Sequence, residues 1–232
     1  MRVSDRRRAR IIFVTGTDTG VGKTLLTALL LYHFRLNGHR ALAIKPFCSG
    51  DRKDAILLQV AQDNELDIDQ VNPFYFSAPI APLVAARKTG TQIRLKRVLD
   101  HIKKIAAGCE ILLIEGAGGL LVPLGENYFV NDLINALKCE VIIVARNSLG
   151  TINHTLLTAK ILRTLGAEQL RIVLMECEKS DASSITNKDI LTELLAPIQV
   201  KGIKYLGGNA NEISALKNNC KKIKKTLAQL GS

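Results

Sequence analysis

Residues 11–24 read Ile11-Ile12-Phe13-Val14-Thr15-Gly16-Thr17-Asp18-Thr19-Gly20-Val21-Gly22-Lys23-Thr24, and a stretch dense in Leu and Ala continues over 23–37 to Gly38. Four consecutive apolar, mostly β-branched residues predict a buried strand, and the Leu/Ala stretch predicts a helix closed by glycine. A strand, a glycine-rich loop and a helix in that order form a cradle. Backbone N–H groups of the loop and the helix N-terminus point at an anion. Lys23 is spaced to reach β- and γ-phosphates, and the Thr24 hydroxyl to ligate Mg²⁺. The usual first glycine, six residues before the lysine, is replaced by Thr17, with Gly16 just ahead. A plain glycine turn capping a helix is the bland alternative. Gly22-Lys23-Thr24 at a helix start, after an apolar strand, favours phosphate.

Working outward, short apolar runs recur at 41–44, 111–114, 141–145 and 170–175. Helical spacing recurs at 93–107, 151–165 and 213–230. Strands that are apolar throughout, separated by helices, predict a parallel sheet covered on both faces. Right-handed crossovers make this a doubly wound α/β fold of the P-loop kind, with ligands at the carboxyl ends of the strands. Neither a repeat nor a linker is visible. The expected division is a basic tail over 1–10 and a single domain over 11–232.

Composition agrees with a globular chain: 232 residues, 47% apolar and 23% charged, with a net charge of +11. The excess is not spread evenly. Arg2, Arg6, Arg7, Arg8 and Arg10 crowd one end, and Lys217, Lys221, Lys222, Lys224 and Lys225 the other. A solvated tail and a solvated helix face explain this, as does weak, non-specific affinity for phosphate polymers. No specific nucleic-acid partner is expected. Five cysteines (Cys48, Cys109, Cys139, Cys177, Cys220) lie far apart, without a C-x-x-C. An odd, scattered set fits a reducing cytoplasm better than a disulfide framework. No secretory signal and no run of ~18 apolar residues is present, so no membrane partner is expected.

Other chemistry-bearing residues sit at predicted strand ends. Lys45-Pro46 ends the second strand, where a lysine can neutralise charge on a transferring phosphoryl group. Glu115 ends the strand at 111–114 and opens Gly116-Ala117-Gly118-Gly119, a position suited to Mg²⁺. Asp51 and Asp54 follow the second strand. Spacing alone leaves open which faces a metal and which caps the following helix. The four histidines do not cluster, and His33 and His39, flanking a helix end, are expected at the surface. No Ser–His–Asp arrangement is visible.

Together these blocks resemble the dethiobiotin synthetase family. The matching segments are Gly16 to Thr24, Lys45-Pro46 with Ser49-Gly50, Asp54-Ala55, and Asn72-Pro73-Phe74 with Pro79 and Pro82. Glu115 to Gly119 with Pro123-Leu124, and Gly150-Thr151-Ile152-Asn153-His154, complete the set. They stand in family order over roughly residues 11–165. The resemblance implies a ligase that carboxylates 7,8-diaminononanoate with CO₂, phosphorylates the carbamate with ATP and closes the ureido ring. It also implies a homodimer whose partner subunit completes the diamine site. Carried over position by position, Lys23, Lys45, Thr19 and Ser49 are catalytic. Gly20, Val21, Gly22, Lys23, Thr24, Leu25 and Glu176 hold the nucleotide. Ser49, Pro79, Gly118, Leu149, Gly150, Thr151, Ile152 and Asn153 hold the diamine, its carboxylate at the start of the helix near 151. Thr24, Asp54 and Glu115 hold Mg²⁺. Asn153 and His154 have a structural alternative, as a cap and a satisfied histidine.

The sequence departs from the family in three places. Gly20 stands where some members carry Glu. Glu176-Cys177 replaces the Asn-Asp that reads the adenine. In Gly202-Ile203-Lys204-Tyr205-Leu206, Lys204 replaces a proline that helps hold the base. The expectation is a nucleotide held by its triphosphate, with weak discrimination among bases. Two alternatives belong to other classes. One is a P-loop ATPase acting as a partitioning or positioning switch, although the second lysine typical of that class is missing from Gly16-Thr17-Asp18. The other is a nucleotide-binding homologue with little catalysis.

Overall fold

The computed structural model describes residues 8–232. Most of the expected basic tail, residues 1–7, lies outside the described residues. Along the chain the elements are β1 (Arg10–Gly16), α1 (Lys23–Leu36), β2 (Ala41–Ile44), β3 (Phe47–Ser49), α2 (Lys53–Ala61), α3 (Ile68–Val71) and β4 (Phe74–Phe76). There follow α4 (Pro82–Lys88), α5 (Leu95–Ala106), β5 (Ile111–Gly119), β6 (Pro123–Gly125), β7 (Tyr128–Phe129), α6 (Val130–Leu137) and β8 (Glu140–Asn147). The last are α7 (Thr151–Thr164), β9 (Leu170–Glu176), a 3₁₀ turn at Ala182–Ile185, α8 (Asn187–Leu194), β10 (Gln199–Ile203), α9 (Ile213–Lys222) and α10 (Lys224–Gly231).

Six strands form one sheet in the order β10-β9-β8-β1-β5-β2, every pair parallel. Two small two-stranded pairs, β3-β4 and β6-β7, stand beside it. Consecutive strand residues face opposite ways. Ile12, Phe13, Val14 and Thr15 are all buried, so both faces of β1 are covered. Helix α1 carries Leu26, Ala28, Leu29, Leu30 and Leu31 at full burial because it lies between the sheet and helices α2, α9 and α10. The chain leaves β1 for β2 and β5 on one side, then crosses to β8, β9 and β10 on the other. The strand order therefore reverses at β1, and the glycine-rich loop leaves from that reversal, where open α/β sheets bind ligands.

Several sequence expectations are corrected. β1 begins at Arg10, so this arginine belongs to the sheet and not to a tail. β10 was not expected, because Lys201 and Gly202 interrupt its apolar residues; as an edge strand it buries only Val200 and Ile203. The expected helix over 213–230 breaks at Ile223 into α9 and α10. No Gly or Pro marks the break, and the apolar spacing of Leu216, Cys220, Leu227 and Leu230 runs through it. His33 is buried on α1, its ring beside Phe34, and is not a surface residue.

Arg10 anchors the lower edge of the sheet. Its Nη2 lies 2.7 Å from Glu140 Oε2, and Arg171 Nη1 lies 2.8 Å from the same oxygen. Partial burial works against the Glu140 charge, but the two arginines outweigh it and hold the carboxyl below its usual pKa. A group with a depressed folded pKa stabilises the fold above its unfolded pKa and loses that contribution as pH falls through the folded value. Glu140→Gln is therefore expected to cost about 2 kcal/mol at pH 7 by urea denaturation. The gap between variant and wild type should close as the pH is lowered below ~4. An equal gap at pH 7 and pH 3.5 would contradict the assignment.

Candidate active site

The glycine-rich loop is shaped by its neighbours. Gly22, which precedes α1, has φ +102°, and a Cβ there would lie 3.1 Å from Met175 Cγ, so only glycine fits. The first helical bond runs from Leu26 N–H to Gly22 O, leaving the N–H groups of Lys23, Thr24 and Leu25 free to face an anion. Two contacts from β8 hold the loop. Thr17 N–H donates to Val144 O at 3.0 Å, and Arg146 Nη2 donates to Gly20 O at 3.0 Å. Lys23 Nζ donates to Asp18 O at 2.7 Å, curling over the loop. Burial lowers the Lys23 pKa to about 8, against the pull of Glu115. In the free protein this ammonium is short of negative partners.

Four residues, from α1, the end of β2, α2 and β5, converge beside the loop. Glu115, 1% exposed, sits inside β5 opposite Val14 of β1. Its Oε1 accepts from Thr24 Oγ1 at 2.7 Å and from Lys45 Nζ at 2.7 Å. Lys45 also pairs with Asp54. Burial works against the Lys45 charge, but Glu115 and Asp54 overcome it and raise its pKa above the ordinary lysine value. The register between β1 and β5 shifts after Glu115, as β5 bulges through its glycines. A Cβ on Gly116 would lie 2.9 Å from the Phe13 ring, so the strand closes on the core only with glycine there.

The two aspartates face different partners. Asp54, in the first turn of α2, faces Lys45. Asp51 accepts from Lys53 N–H at 3.1 Å and pairs with the Lys53 ammonium at 3.4 Å, away from the cluster. The residues fit Mg²⁺. Glu115 Oε2 is buried without a hydrogen-bond partner, and Asp54 and the Thr24 hydroxyl add hard oxygens. Lys45, Asp54 and Glu115 together carry one net negative charge, which a divalent cation would reverse. Among the described residues no group of three or more His, Cys, Asp and Glu forms a metal cluster by itself. Mg²⁺ needs only one or two carboxylates when phosphates and water complete its shell.

Other predicted residues gather around this centre. Ser49 Oγ, at the end of β3, is buried and unpartnered. A Cβ on Gly50 would lie 3.2 Å from Pro79, and one on Gly118 would lie 3.4 Å from Thr19 Oγ1. The loops bearing Ser49 and Pro79, and those bearing Gly118 and Thr19, thus meet in pairs. Residues 149–153 stand apart, at the carboxyl end of β8 on the other side of β1. Leu149 is 83% exposed, and its N–H donates to Asp181 Oδ2 at 2.8 Å. The Thr151 hydroxyl is buried without a partner. Ile152 packs on the core. Gly150 holds the cap position of α7, so Asn153, exposed on its first turn, is not the cap, and His154 is exposed as well. Glu176 ends β9, its Oε1 accepting from Asn147 Nδ2 at 2.9 Å. Arg146 and Asn147 were missed from sequence. Two polar residues closing the apolar run at 141–145 were the available signal, since ligands gather at such strand ends.

An AAA-domain family model matches residues 10–208. An ATP-dependent dethiobiotin synthetase BioD of Anaeromyxobacter sp. (strain Fw109-5) is 45% identical, over 75% of this chain and 80% of the relative. The BioD of Bacillus licheniformis is 44% identical over 70% of this chain and 71% of its own, and that of Bacillus subtilis (strain 168) 38% identical over 84% and 86%. The chain belongs to the dethiobiotin synthetase family. Among solved structures, a ParA family ATPase from Chlorobium tepidum TLS matches with a TM-score of 0.56 at 17% identity, over 93% of this chain and 92% of its own. The MinD cell division protein of Aquifex aeolicus matches at 0.54 and 15%, over 94% and 98%. These two share the fold alone with this dethiobiotin synthetase family member. No helix among the described residues is long and apolar enough to cross a membrane.

Proposed function

We propose that this chain is an ATP-dependent dethiobiotin synthetase, a ligase that forms C–N bonds. CO₂ joins one amine of 7,8-diaminononanoate as a carbamate, and the γ-phosphoryl of ATP passes to the carbamate oxygen. The second amine then attacks the carbamoyl carbon and expels phosphate, giving dethiobiotin, ADP and phosphate. The observation that carries this reading is the convergence of Lys45, Asp54, Thr24 and Glu115 beside the free N–H groups of the loop. Phosphoryl transfer asks a protein for positioning and charge compensation, and these groups supply both.

Lys23 and the loop N–H groups hold the β- and γ-phosphates. Lys45 faces the transferring phosphoryl group and neutralises charge that builds there. Glu115, Asp54 and the Thr24 hydroxyl hold Mg²⁺, which supplies Lewis-acid charge neutralisation to the phosphates when bound. Ser49 and Thr19 contact the carbamate, and Gly118 and Pro79 leave room for the diamine chain. Residues 149–153 receive the substrate carboxylate from a second copy, because they lie across β1 from Lys45 and the start of α7 offers unpaired N–H groups. The working unit is then a homodimer. It acts in the cytoplasm, in keeping with five free cysteines. The test is phosphate release, followed with ATP and Mg²⁺ while diamine and bicarbonate are added singly and together. Release should require both. Release with ATP alone, or none under any condition, would contradict the proposal.

A further inference from the structure

Arg10, Arg35, Arg52, Arg87 and Arg171 each pair with a carboxylate. The lysines toward the end of the chain are arranged differently. Lys204, Lys221, Lys222, Lys224 and Lys225, all exposed, line one groove of about 700 Å³ between the carboxyl end of β10 and the break from α9 to α10. No carboxylate lines this groove. Among the described residues none of its five lysines makes an ion pair. The phosphate loop, Lys45, Glu115 and Glu176 do not line it either.

Helix chemistry explains only part of this charge. Lys221 and Lys222 fall in the last turn of α9, where the helix dipole favours cations. Lys224 and Lys225 open α10, where the dipole disfavours them, and no acid stands in that turn. The fold thus gathers positive charge against a local cost, which a bound polyanion would offset. Other features of the groove choose among polyanions. Leu216, Cys220, Leu227 and Leu230 are buried against the fold, so neither helix keeps these apolar residues for a lipid surface. Tyr205, 43% exposed, lies in the same groove and offers a ring on which an unpaired base can stack. No arginine lines it, so the bidentate contacts that read base edges are missing.

We propose that this groove binds single-stranded nucleic acid, holding its phosphates with the lysines and stacking a base on Tyr205, without regard to sequence. The site is independent of the synthetase chemistry and should work with the nucleotide site filled.

The test is the fluorescence anisotropy of labelled oligo(dT) titrated with the full chain, ATP and Mg²⁺ being kept at saturation. The logarithm of the binding constant should fall against log[salt] with a slope of about −2 to −3.5, as expected for about three to five phosphate contacts. Combining Lys221→Gln, Lys222→Gln, Lys224→Gln and Lys225→Gln changes exposed side chains only, so thermal unfolding should stay near wild type. This variant should bind about tenfold or more weakly and lose most of the slope, with phosphate release from ATP unchanged. Tyr205→Ala should weaken binding about fivefold or more while keeping the slope. No binding at low salt, unchanged affinity in the lysine variant, or a parallel loss of phosphate release would overturn the proposal. So would polyglutamate, or phosphatidylcholine vesicles containing phosphatidylserine, if either displaces the oligonucleotide as well as unlabelled oligo(dT) does.

Discussion

Lys23→Ala is expected to lower turnover by about 10³-fold or more while the protein stays folded. The loss follows from position. Lys23 starts α1, beside the unpaired N–H groups of the loop, and its ammonium bends back to Asp18 O. Lys45, the other lysine of the site, is committed to Glu115 and Asp54 and does not replace it. Stability should move the other way, or not at all. Burial lowers the Lys23 pKa, so the folded state disfavours its charge, and removing it at pH 7 relieves that penalty. The released Asp18 carbonyl lies on an exposed residue, where water can replace the ammonium. Thermal unfolding within a few degrees of wild type, with turnover abolished, is the predicted pair of results. Turnover within tenfold of wild type would remove Lys23 from the phosphate site.

Glu115→Gln is expected to raise the Mg²⁺ needed for half-maximal turnover by about tenfold or more, with a similar fall in rate at low Mg²⁺. The amide keeps the shape and the bond from Thr24 but loses the charge. Glu115 is the only fully buried carboxylate of the cluster, and its Oε2 has no partner. In the variant Lys45 retains Asp54 and stays paired, so the fold should persist. High Mg²⁺ should restore part of the rate, which a mere loss of structure would not allow. An Mg²⁺ titration that superimposes on wild type would take Glu115 out of the metal shell.

The centre of the fold was legible because its signals are local. Ile11 to Val14 and the residues after Gly22 declare a strand and a helix, and buried parallel strands show as unbroken apolar runs. Lys45 and Glu115 were legible because each closes such a run with a charge. What escaped depends on contacts distant in sequence. β10 is an edge strand with one face open, so its apolar pattern is broken. Asp51 and Asp54 are alike in composition and spacing, and only the turn into α2 aims one at Lys45 and the other at Lys53. His33 lies near a helix end in sequence, but α10 covers that end of α1: a Cβ on Gly231 would lie 4.0 Å from the His33 ring. Arg146 and Asn147 act on residues over 25 positions away, Gly20, Glu176 and Asn187, which no local pattern announces.

The central claim is tested most directly by incubating the protein with ATP, Mg²⁺, ¹³C-bicarbonate and 7,8-diaminononanoate and weighing the product. The account predicts dethiobiotin carrying one ¹³C in its ureido carbon, formed in equal amount with ADP. ADP without labelled dethiobiotin, or an unchanged diamine beside intact ATP, would contradict it.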